Sequence, residues 1–166
     1  MEPVKVSVII PCYNEEATIE ELLSALLAQT YPIDLMEVII ADGMSTDRTR
    51  EKITAFKAGH PQLTIRVVDN HQHTIPAALN QAIQASTGAV LSRMDAHAIP
   101  APDYIEKCLR ALNAGLGENV GGVINIRAGS DTWVGRAIAV ATAHPLGVGD
   151  AHYRTATKAG VTDTVA

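Results

Sequence analysis

Four short apolar runs, each followed by a helical pattern, constrain the fold of this chain more than any other feature. The runs are VKVSVII (4–10), MEVIIAD (36–42), LTIRVVD (63–69) and AVLSRMD (89–95). Apolar residues after the first run recur at i, i+3, i+4, i+7 and i+8, which is typical of an amphipathic helix; they are Ile19, Leu22, Leu23, Leu26 and Leu27. Strands that alternate with helices predict a parallel sheet with right-handed crossovers. We therefore predict an α/β fold of three layers, α/β/α, with a mostly parallel central sheet.

Capping residues and prolines predict where the later elements begin. Asn14 is a candidate N-cap for the first helix, Pro76 a candidate first residue of the third, and Pro102 opens a fourth. We also predict a further strand over GGVINIR (121–127) and a helix over 132–143.

Composition excludes several classes of protein. The 166 residues are 47% hydrophobic and 19% charged, which suits a globular domain and not a disordered chain. The net charge of -5 and the lack of a basic run argue against nucleic acid as a partner. Two cysteines make no disulfide framework, and no apolar run approaches the roughly 20 residues that span a bilayer. These features, with a strand that starts almost at the first residue, predict a cytoplasmic domain.

Polar residues stand at the end of each predicted strand. In an open parallel sheet, ligands bind beyond the carboxyl ends of the strands, near the point where the strand order reverses. The strand ends carry PCYNE (11–15), Asp42-Gly43, Asp69-Asn70 and Asp95-Ala96-His97. One aspartate there would mean little, because Asp is a common turn residue. Several on one edge favour a binding site.

The sequence lacks the two common phosphate-binding loops. Neither GxGxxG nor GxxxxGK[ST] occurs. A bound phosphate would therefore need another source of positive charge. A divalent cation held by carboxylate and imidazole side chains would provide it.

Three segments resemble the family-two glycosyltransferases of the GT-A fold: SVIIPCYNEE, VIIADGMSTDRTR and PAALNQAIQASTGAVLSRMDAHAIPAPDYI. The resemblance covers most of residues 4–110. The segments DGMSTDRTR and RMDAHA are similar to those of bacterial enzymes of succinoglycan-type exopolysaccharide synthesis. It implies a Rossmann-like nucleotide-binding half of a GT-A fold. It also implies an inverting transfer of a sugar from a nucleotide-diphosphate donor, expected to be a UDP-sugar, to a hydroxyl of a glycan or lipid-linked acceptor.

The resemblance implies roles for residues on the first two strands. Pro11, Tyr13 and Glu15 match the stretch that cradles the nucleotide base, with the Tyr13 ring stacking on it. Asp42 matches the carboxylate that accepts a hydrogen bond from the base.

Further roles fall on the third helix and the fourth strand. Asn80 and Arg93 lie in stretches that approach the sugar-diphosphate. Asp95-Ala96-His97 occupies the place of the DxD motif, so that Asp95 and His97 are the candidate ligands of a divalent cation, Mn²⁺ or Mg²⁺. The last motif acid is His97 here, and imidazole suits Mn²⁺ better than Mg²⁺.

The family pattern also divides the chain. We predict a nucleotide-sugar-binding α/β domain over 1–130, and a helix, a connector and the start of an acceptor-side region over 131–166. GVTDTVA resembles a strand that is just beginning, so we expect a fragment whose catalytic base lies downstream of Ala166. No catalytic residue is therefore assigned, and contact with the cytoplasmic face of a membrane is expected only through regions outside this sequence.

One alternative function remains open. A non-catalytic nucleotide-binding module, by truncation or by degeneration at His97, accounts for the same residues. The HxH pair, His71 and His73, suggests a zinc site, but no cysteine or acid stands near it at ligand spacing, so we interpret it as a solvated loop. Cys12 and Cys108 are interpreted as small packing residues.

Overall fold

The computed structural model describes residues 4–126, 128, 130–144 and 160–162. In these residues the strands are β1 (Val6–Cys12), β2 (Met36–Asp42), β3 (Thr64–Asp69) and β4 (Val90–Arg93). The helices are α1 (Ile19–Leu27), α2 (Thr49–Gly59), α3 (Ile75–Ala85), α4 (Tyr104–Asn113) and α5 (Trp133–Ala143), with a 3₁₀ turn at Ile33–Leu35.

The four strands form one parallel sheet in the order β3-β2-β1-β4. The chain steps outward from β1 to β3 and then returns to the other side of β1. With right-handed crossovers, this places α1 and α2 on one face and α3 on the other; α3 contacts β1, β2 and β3, and α1 contacts α2. The three-layer α/β/α prediction is confirmed, and the strand order reverses between β1 and β4.

The two central strands are buried on both faces. On one face, Ile9 and Ile39 pack with Ala78 and Ala82 of α3. Because successive side chains in a strand point to opposite faces, their neighbours turn toward the other helix layer and are fully buried; these are Val8, Ile10, Val38 and Ile40. Burial on both faces explains why β1 and β2 are continuous apolar runs instead of alternating ones.

A buried carboxylate ties the strands together at the amino end of the sheet. Glu37 of β2 is 2% exposed. Its Oε1 accepts hydrogen bonds from Ser7 Oγ at 2.6 Å and from the backbone N–H of Thr87 at 2.6 Å. Its Oε2 lies 3.1 Å from Arg66 Nη2 and 3.7 Å from Lys5 Nζ. We call these residues the Glu37 cluster, and it joins β1, β2 and β3 to the loop before β4.

The Glu37 cluster shifts the acidity of its central carboxyl group. Burial alone would raise the pKa of Glu37, but hydrogen bonds from Ser7 and Thr87 and the charge of Lys5 lower it to about 2. Gly88 closes the cluster by donating its N–H to Ser7 Oγ at 2.8 Å. A Cβ at Gly88 would lie 2.7 Å from the backbone nitrogen of Ser7, so only glycine fits there.

Several predicted boundaries differ from the structure. α1 begins at Ile19 after Thr18, and Asn14 does not cap it but adopts a left-handed backbone with φ 53°. α4 begins at Tyr104, two residues after Pro102.

Two further predictions concern α3 and the region after α4. α3 is capped by Thr74, whose hydroxyl accepts from the N–H of Ala77 at 3.4 Å, so Pro76 is its second residue. The strand predicted over 121–127 is wrong for its described part, since 121–126 form no strand. Val123 is 57% exposed there, and a strand forms only where it pairs with an edge. The strand expected from GVTDTVA lies mostly outside the described residues.

Pro11 lies inside β1, although the sequence predicts that the strand ends before this proline. The carbonyl oxygen of Ile9 accepts a hydrogen bond from the N–H of Met94, beyond β4. The carbonyl oxygen of Cys12 accepts one from the N–H of Gly43, beyond β2. Pro11 therefore faces the β4 side, past the last paired residue of that strand, Arg93. Because no ladder bond is needed there, the missing N–H of proline costs nothing.

The chain separates into two compact units, Met1–Glu106 and Lys107–Ala166. The whole sheet belongs to the first unit. In the second, Thr132 caps α5 by accepting from the N–H of Gly135 at 3.1 Å, as the helix predicted over 132–143 requires. The predicted boundary between residues 130 and 131 rests on the expected functions of the two segments. A nucleotide-sugar-binding domain before it and an acceptor-side region after it stay predictions.

Within the described ranges, no helix has both the length and the apolar character needed to cross a bilayer.

Candidate functional site

The loops after β1, β2 and β3 each hold one non-glycine residue with left-handed backbone. These residues are Asn14 (φ 53°), Met44 (φ 61°) and His73 (φ 55°). Each such residue costs about 1 kcal/mol and persists only where its surroundings fix it, as happens often at functional sites. The carboxyl edge of the sheet is therefore where this fold concentrates its backbone strain.

Hydrogen bonds lock the first two of these loops together. The N–H of Asn14 donates to Ser45 Oγ at 2.9 Å, and its side-chain oxygen accepts from the N–H of Thr46 at 2.9 Å. The N–H of Glu15 donates to Thr49 Oγ1 at 2.8 Å. The loop after β1 is thus held against the start of α2, which explains why Asn14 is not available as a cap for α1.

Tyr13 presents an aromatic ring at this edge. Its side chain is 54% exposed, so one face of the ring is open to solvent. Its ring meets the His73 ring edge to face, with centroids 6.5 Å apart and an interplanar angle of 80°. The His73 ring is in turn bonded through Nδ1 to the carbonyl oxygen of Gly43 at 2.8 Å. His71 and His73 are exposed, as interpreted, but His73 is fixed and not merely solvated.

Asp42 lies at the same edge but is completely buried. Its Oδ1 accepts from Ser45 Oγ at 2.5 Å, and its Oδ2 accepts from the N–H of Ser45 at 3.0 Å and from Arg50 Nε at 2.5 Å. No oxygen of Asp42 is exposed to a ligand in this structure.

Arg50 also bonds Asp69, at the end of β3, through Nη2 at 2.5 Å. The hydrogen bond and the charge of Arg50 lower the pKa of Asp69. The sequence analysis missed Arg50, although a strand-end aspartate that becomes buried requires a cationic or donor partner.

A pair of side chains bridges the point where the strand order reverses. Glu15 follows β1 and His97 follows β4, and their Oε1 and Nδ1 atoms lie 3.2 Å apart. Thr18 donates to the other oxygen of Glu15 at 2.5 Å, which fixes the carboxylate. The two residues predicted from the ends of β1 and β4 are therefore brought together as the topology requires.

Asp95 precedes His97 by two residues, and its side chain is 49% exposed. Its Oδ1 lies 3.0 Å from Nη2 of Arg93, whose side chain is 54% exposed. Exposed ion pairs of this kind contribute at most about 1 kcal/mol. Asp95 can thus exchange its arginine partner for a ligand at little cost.

Asn80 and Cys12 differ from these residues. Asn80 lies on the exposed side of α3, and in the described residues no bond ties it to the strand-end side chains.

Burial, followed by the charges of Asp42 and Glu15, raises the pKa of Cys12 to about 12. The Cys12 thiol is therefore neutral and buried, which agrees with a packing role and excludes a nucleophile.

The candidate ligands of a metal ion are few at this edge. Across the described part of the chain, no three His, Cys, Asp or Glu side chains gather closely enough to hold a metal ion themselves. Asp95 and His97 supply one oxygen and one nitrogen ligand type, and a bound diphosphate would have to complete the shell. That set fits Mn²⁺, which accepts both ligand types.

An open parallel sheet with polar loops at its reversal point is the architecture of Rossmann-like α/β proteins. The chain belongs to a family within that class, glycosyl transferase family 2, whose sequence model matches residues 7–161. The family resemblance predicted from the sequence is therefore confirmed.

Relatives and a solved structure agree with this assignment. Glycosyltransferase AglE of Haloferax volcanii is 36% identical over 117 residues, which cover 70% of this chain and 38% of that protein. Succinoglycan biosynthesis protein ExoA of Rhizobium meliloti is 33% identical over 151 residues, 89% of this chain and 44% of that protein. The mannosyltransferase PcManGT of Pyrobaculum calidifontis, solved in complex with GDP-Man and Mn²⁺, superposes with a TM-score of 0.66 at 31% identity, covering 86% of this chain and 41% of that chain. This chain thus spans about two fifths of the length of these proteins.

Proposed function

We propose that this chain is the donor-binding part of an inverting glycosyltransferase that moves a sugar from a UDP-sugar to a hydroxyl of a glycan or lipid-linked acceptor. The observation that carries the proposal is the bridge between Glu15 and His97 at the reversal point of the sheet, with the half-exposed Asp95 two residues before His97 in the same loop. Membership of glycosyl transferase family 2 supports the reaction class. The solved relative with GDP-Man supports a nucleotide-sugar donor.

The nucleotide base stacks on Tyr13 in this proposal. Its ring is exposed, and stacking between a base and an aromatic side chain contributes about 1 to 3 kcal/mol. Pro11 and Glu15 border the same position, at the end of β1 and in the loop after it. Arg93 and Asn80 are proposed to approach the sugar-diphosphate.

The proposed cation is Mn²⁺ or Mg²⁺, held by Asp95 and His97 together with diphosphate oxygens. Because Nδ1 of His97 faces Glu15, Nε2 is the nitrogen that would face the metal. Outer carboxylates orient metal-binding histidines in this way. When bound, such a cation stabilises the charge of the leaving nucleotide diphosphate as a Lewis acid.

The transfer step requires a base that removes a proton from the acceptor hydroxyl as it attacks the anomeric carbon. We propose that this base lies beyond Ala166. Asp131, Asp150 and Asp163 are the only carboxylates after Glu118, and none stands in an acidic motif of the kind expected. The proposed location is the cytoplasm, with membrane contact only through other regions.

A non-catalytic nucleotide-binding module is the second candidate. The replacement of the last motif acid by His97, already paired with Glu15, favours it. The reading frame downstream of Ala166 distinguishes the two candidates, since an acidic motif after a further strand supports the enzyme.

Calorimetric titration tests donor binding. The chain is titrated with UDP, GDP and TDP, each with and without Mn²⁺, beside Asp95→Ala and the control Asp34→Ala, an exposed aspartate at the opposite end of the sheet. We expect binding that Mn²⁺ strengthens, and a loss of at least about tenfold in affinity for Asp95→Ala only. Binding of none of the three, or binding that ignores both metal and Asp95, would overturn the proposal.

A further inference from the structure

The loop between β4 and α4 is fixed, at its end farther from β4, by a residue that follows α1. This loop, residues 94–103, carries the candidate metal ligands. Gln29 is 9% exposed, and its Nε2 donates to the carbonyl oxygen of Ala101 at 2.8 Å. Its Oε1 accepts from the N–H of Ile105, in the first turn of α4, at 3.1 Å. A buried side-chain amide thus joins the end of α1 to this loop and to the helix that follows it.

The start of α1 holds the other end of the same loop. The carbonyl oxygen of Glu15 accepts from the N–H groups of Thr18 and Ile19 at 3.1 and 3.0 Å, where α1 begins. Oε1 of the same Glu15 lies 3.2 Å from Nδ1 of His97. Because α1 is a hydrogen-bonded helix of nine residues, it keeps these two attachment points at a fixed separation. The β4–α4 loop is therefore supported by α1 at both ends.

The loop is stiff between its two attachment points. Pro100 and Pro102 fix their own φ angles and restrict the residues before them. Ile99 is 47% exposed, and in the described part of the chain neither it nor Pro100 makes a hydrogen bond. The path of this middle part therefore depends on the hydrogen bonds at its ends. Because the segment is short and stiff, a displacement of Ala101 also displaces His97.

We propose that Gln29 is a positioning residue for the candidate metal ligands, Asp95 and His97. The inference rests on the proposed function. Gln29 acts at a distance, because α1 begins at the carboxyl edge of the sheet and leads away from it. Its bond to Ala101 selects one position of the loop. Without that bond the loop occupies several positions, and a cation binds more weakly because only a fraction of the molecules present both ligands correctly.

Two variants of Gln29 test the role of its amide. In Gln29→Glu, a carboxylate oxygen still accepts from the N–H of Ile105 but cannot donate to the carbonyl oxygen of Ala101. The measurements are made at about pH 8, so that the new carboxyl group is ionised. Gln29→Met keeps the length of the side chain and removes both bonds. Tyr31→Phe is the control for lost stability, because the hydroxyl that it removes bonds Val4 and not the loop.

Amide hydrogen exchange in the chain without ligand tests the positioning by itself. The N–H of Ala98 donates to the carbonyl oxygen of Asp95 at 2.9 Å, in the turn that follows β4. The N–H of Gly43 donates to that of Cys12 at 2.8 Å, in a different loop of the same edge. We expect both Gln29 variants to speed the exchange of Ala98 by at least about fivefold and to leave Gly43 unchanged. No change at Ala98, or an equal change at both amides, would overturn the inference.

Calorimetry measures what the positioning contributes to ligand binding. The chain and its variants are titrated with UDP and with GDP, each with and without Mn²⁺, and the ratio of the two affinities is compared. We expect both Gln29 variants to lower this ratio by about fivefold, the effect of one hydrogen bond, and Tyr31→Phe to keep it. A ratio that is unchanged in folded Gln29 variants would overturn the inference and leave donor binding intact. If the unsubstituted chain binds no nucleotide, the proposed function fails, and the exchange of Ala98 still decides whether Gln29 positions the loop.

Discussion

The two ends of one sheet both carry carboxylates, in opposite surroundings. Glu37 at the amino end is 2% exposed, and both of its oxygens are bonded by groups from β1, β3 and the loop before β4. The Asp95 side chain, beyond the carboxyl end, is 49% exposed and is paired with one arginine, Arg93, itself half exposed. The first carboxylate is complete without a ligand, whereas no residue in the described part of the chain bonds Oδ2 of the second.

The difference indicates that burial, and not position along a strand, separates a carboxylate that the fold satisfies from one that is open to solvent. Asp42 shows this most clearly, because it lies at the carboxyl end of the sheet but is as buried and as fully bonded as Glu37. Polar groups that must be bonded when buried stabilise the fold, and polar groups that water satisfies are free to exchange partners.

The largest expected effect comes from removing the centre of the Glu37 cluster. Glu37→Ala leaves Ser7, Thr87 and Arg66 without their acceptor inside the fold. Lys5 and Arg66 are nearly half exposed, so the cost comes mainly from the buried donors left unsatisfied, and the free energy of unfolding should fall by about 2 to 3 kcal/mol. Urea denaturation followed by circular dichroism measures it.

Glu51→Ala is the matched control. Glu51 pairs with Arg48 on the surface at 3.0 Å, with both side chains about two-thirds exposed, so its removal should change the free energy of unfolding by less than about 1 kcal/mol. Equal losses in the two variants would show that burial does not separate the two kinds of carboxylate. Folded Glu37→Ala protein should still bind nucleotide as tightly as the unsubstituted chain.

Acid should remove the same stabilisation in a defined pH range. The pKa of Glu37 falls from its ordinary value of 4.5 to about 2 in the folded chain. A lowered folded-state pKa contributes stability that is complete above 4.5 and is lost as the pH falls through the range from 4.5 to about 2. We expect this contribution to be about 2 to 3 kcal/mol.

Glu37→Gln isolates the contribution from those of other acids. Asp69 and Glu51 also have lowered pKa values, so the unsubstituted chain and the Glu37→Gln variant should both lose stability in acid. The difference between their free energies of unfolding should shrink between pH 5 and pH 2, since glutamine does not titrate. A constant difference over that range would contradict the assignment.

The outline of the fold was predictable because it depends on local patterns. Apolar runs of seven residues and helical periodicity specify the strands, α1 and their order along the chain, and the handedness of crossovers then specifies the layers. The same argument predicts that the carboxyl ends of the parallel strands meet at one edge of the sheet. The residues expected at that edge were therefore Tyr13, Glu15, Asp95 and His97.

The partners of buried polar groups were not predictable in this way. Glu37 bonds Thr87, 50 residues further along the chain, and the sequence around either residue gives no sign of the contact. The burial of Asp42 and its bond to Arg50 could not be read from the motif either, and its hydrogen bond to the base stays a prediction. The predicted strand over 121–127 failed for a related reason, since a strand needs a partner edge that local propensity does not supply.

The smallest expected effect on stability belongs to Tyr13, and it contrasts with Tyr31. Tyr13 is 54% exposed, so Tyr13→Ala should change the free energy of unfolding by less than about 0.5 kcal/mol. Tyr31 is 8% exposed and its hydroxyl donates to the carbonyl oxygen of Val4 at 2.6 Å, so even Tyr31→Phe should cost about 1 kcal/mol.

Nucleotide affinity should reverse this order. Without its stacking surface, Tyr13→Ala should bind UDP at least about tenfold more weakly by calorimetry. Tyr31→Phe should bind as the unsubstituted chain does, because Val4 and Tyr31 meet at the amino end of the sheet, away from the strand ends proposed to hold the ligand. A Tyr13→Ala variant that is markedly destabilised and binds normally would show that Tyr13 packs against the fold and that the base lies elsewhere on this edge.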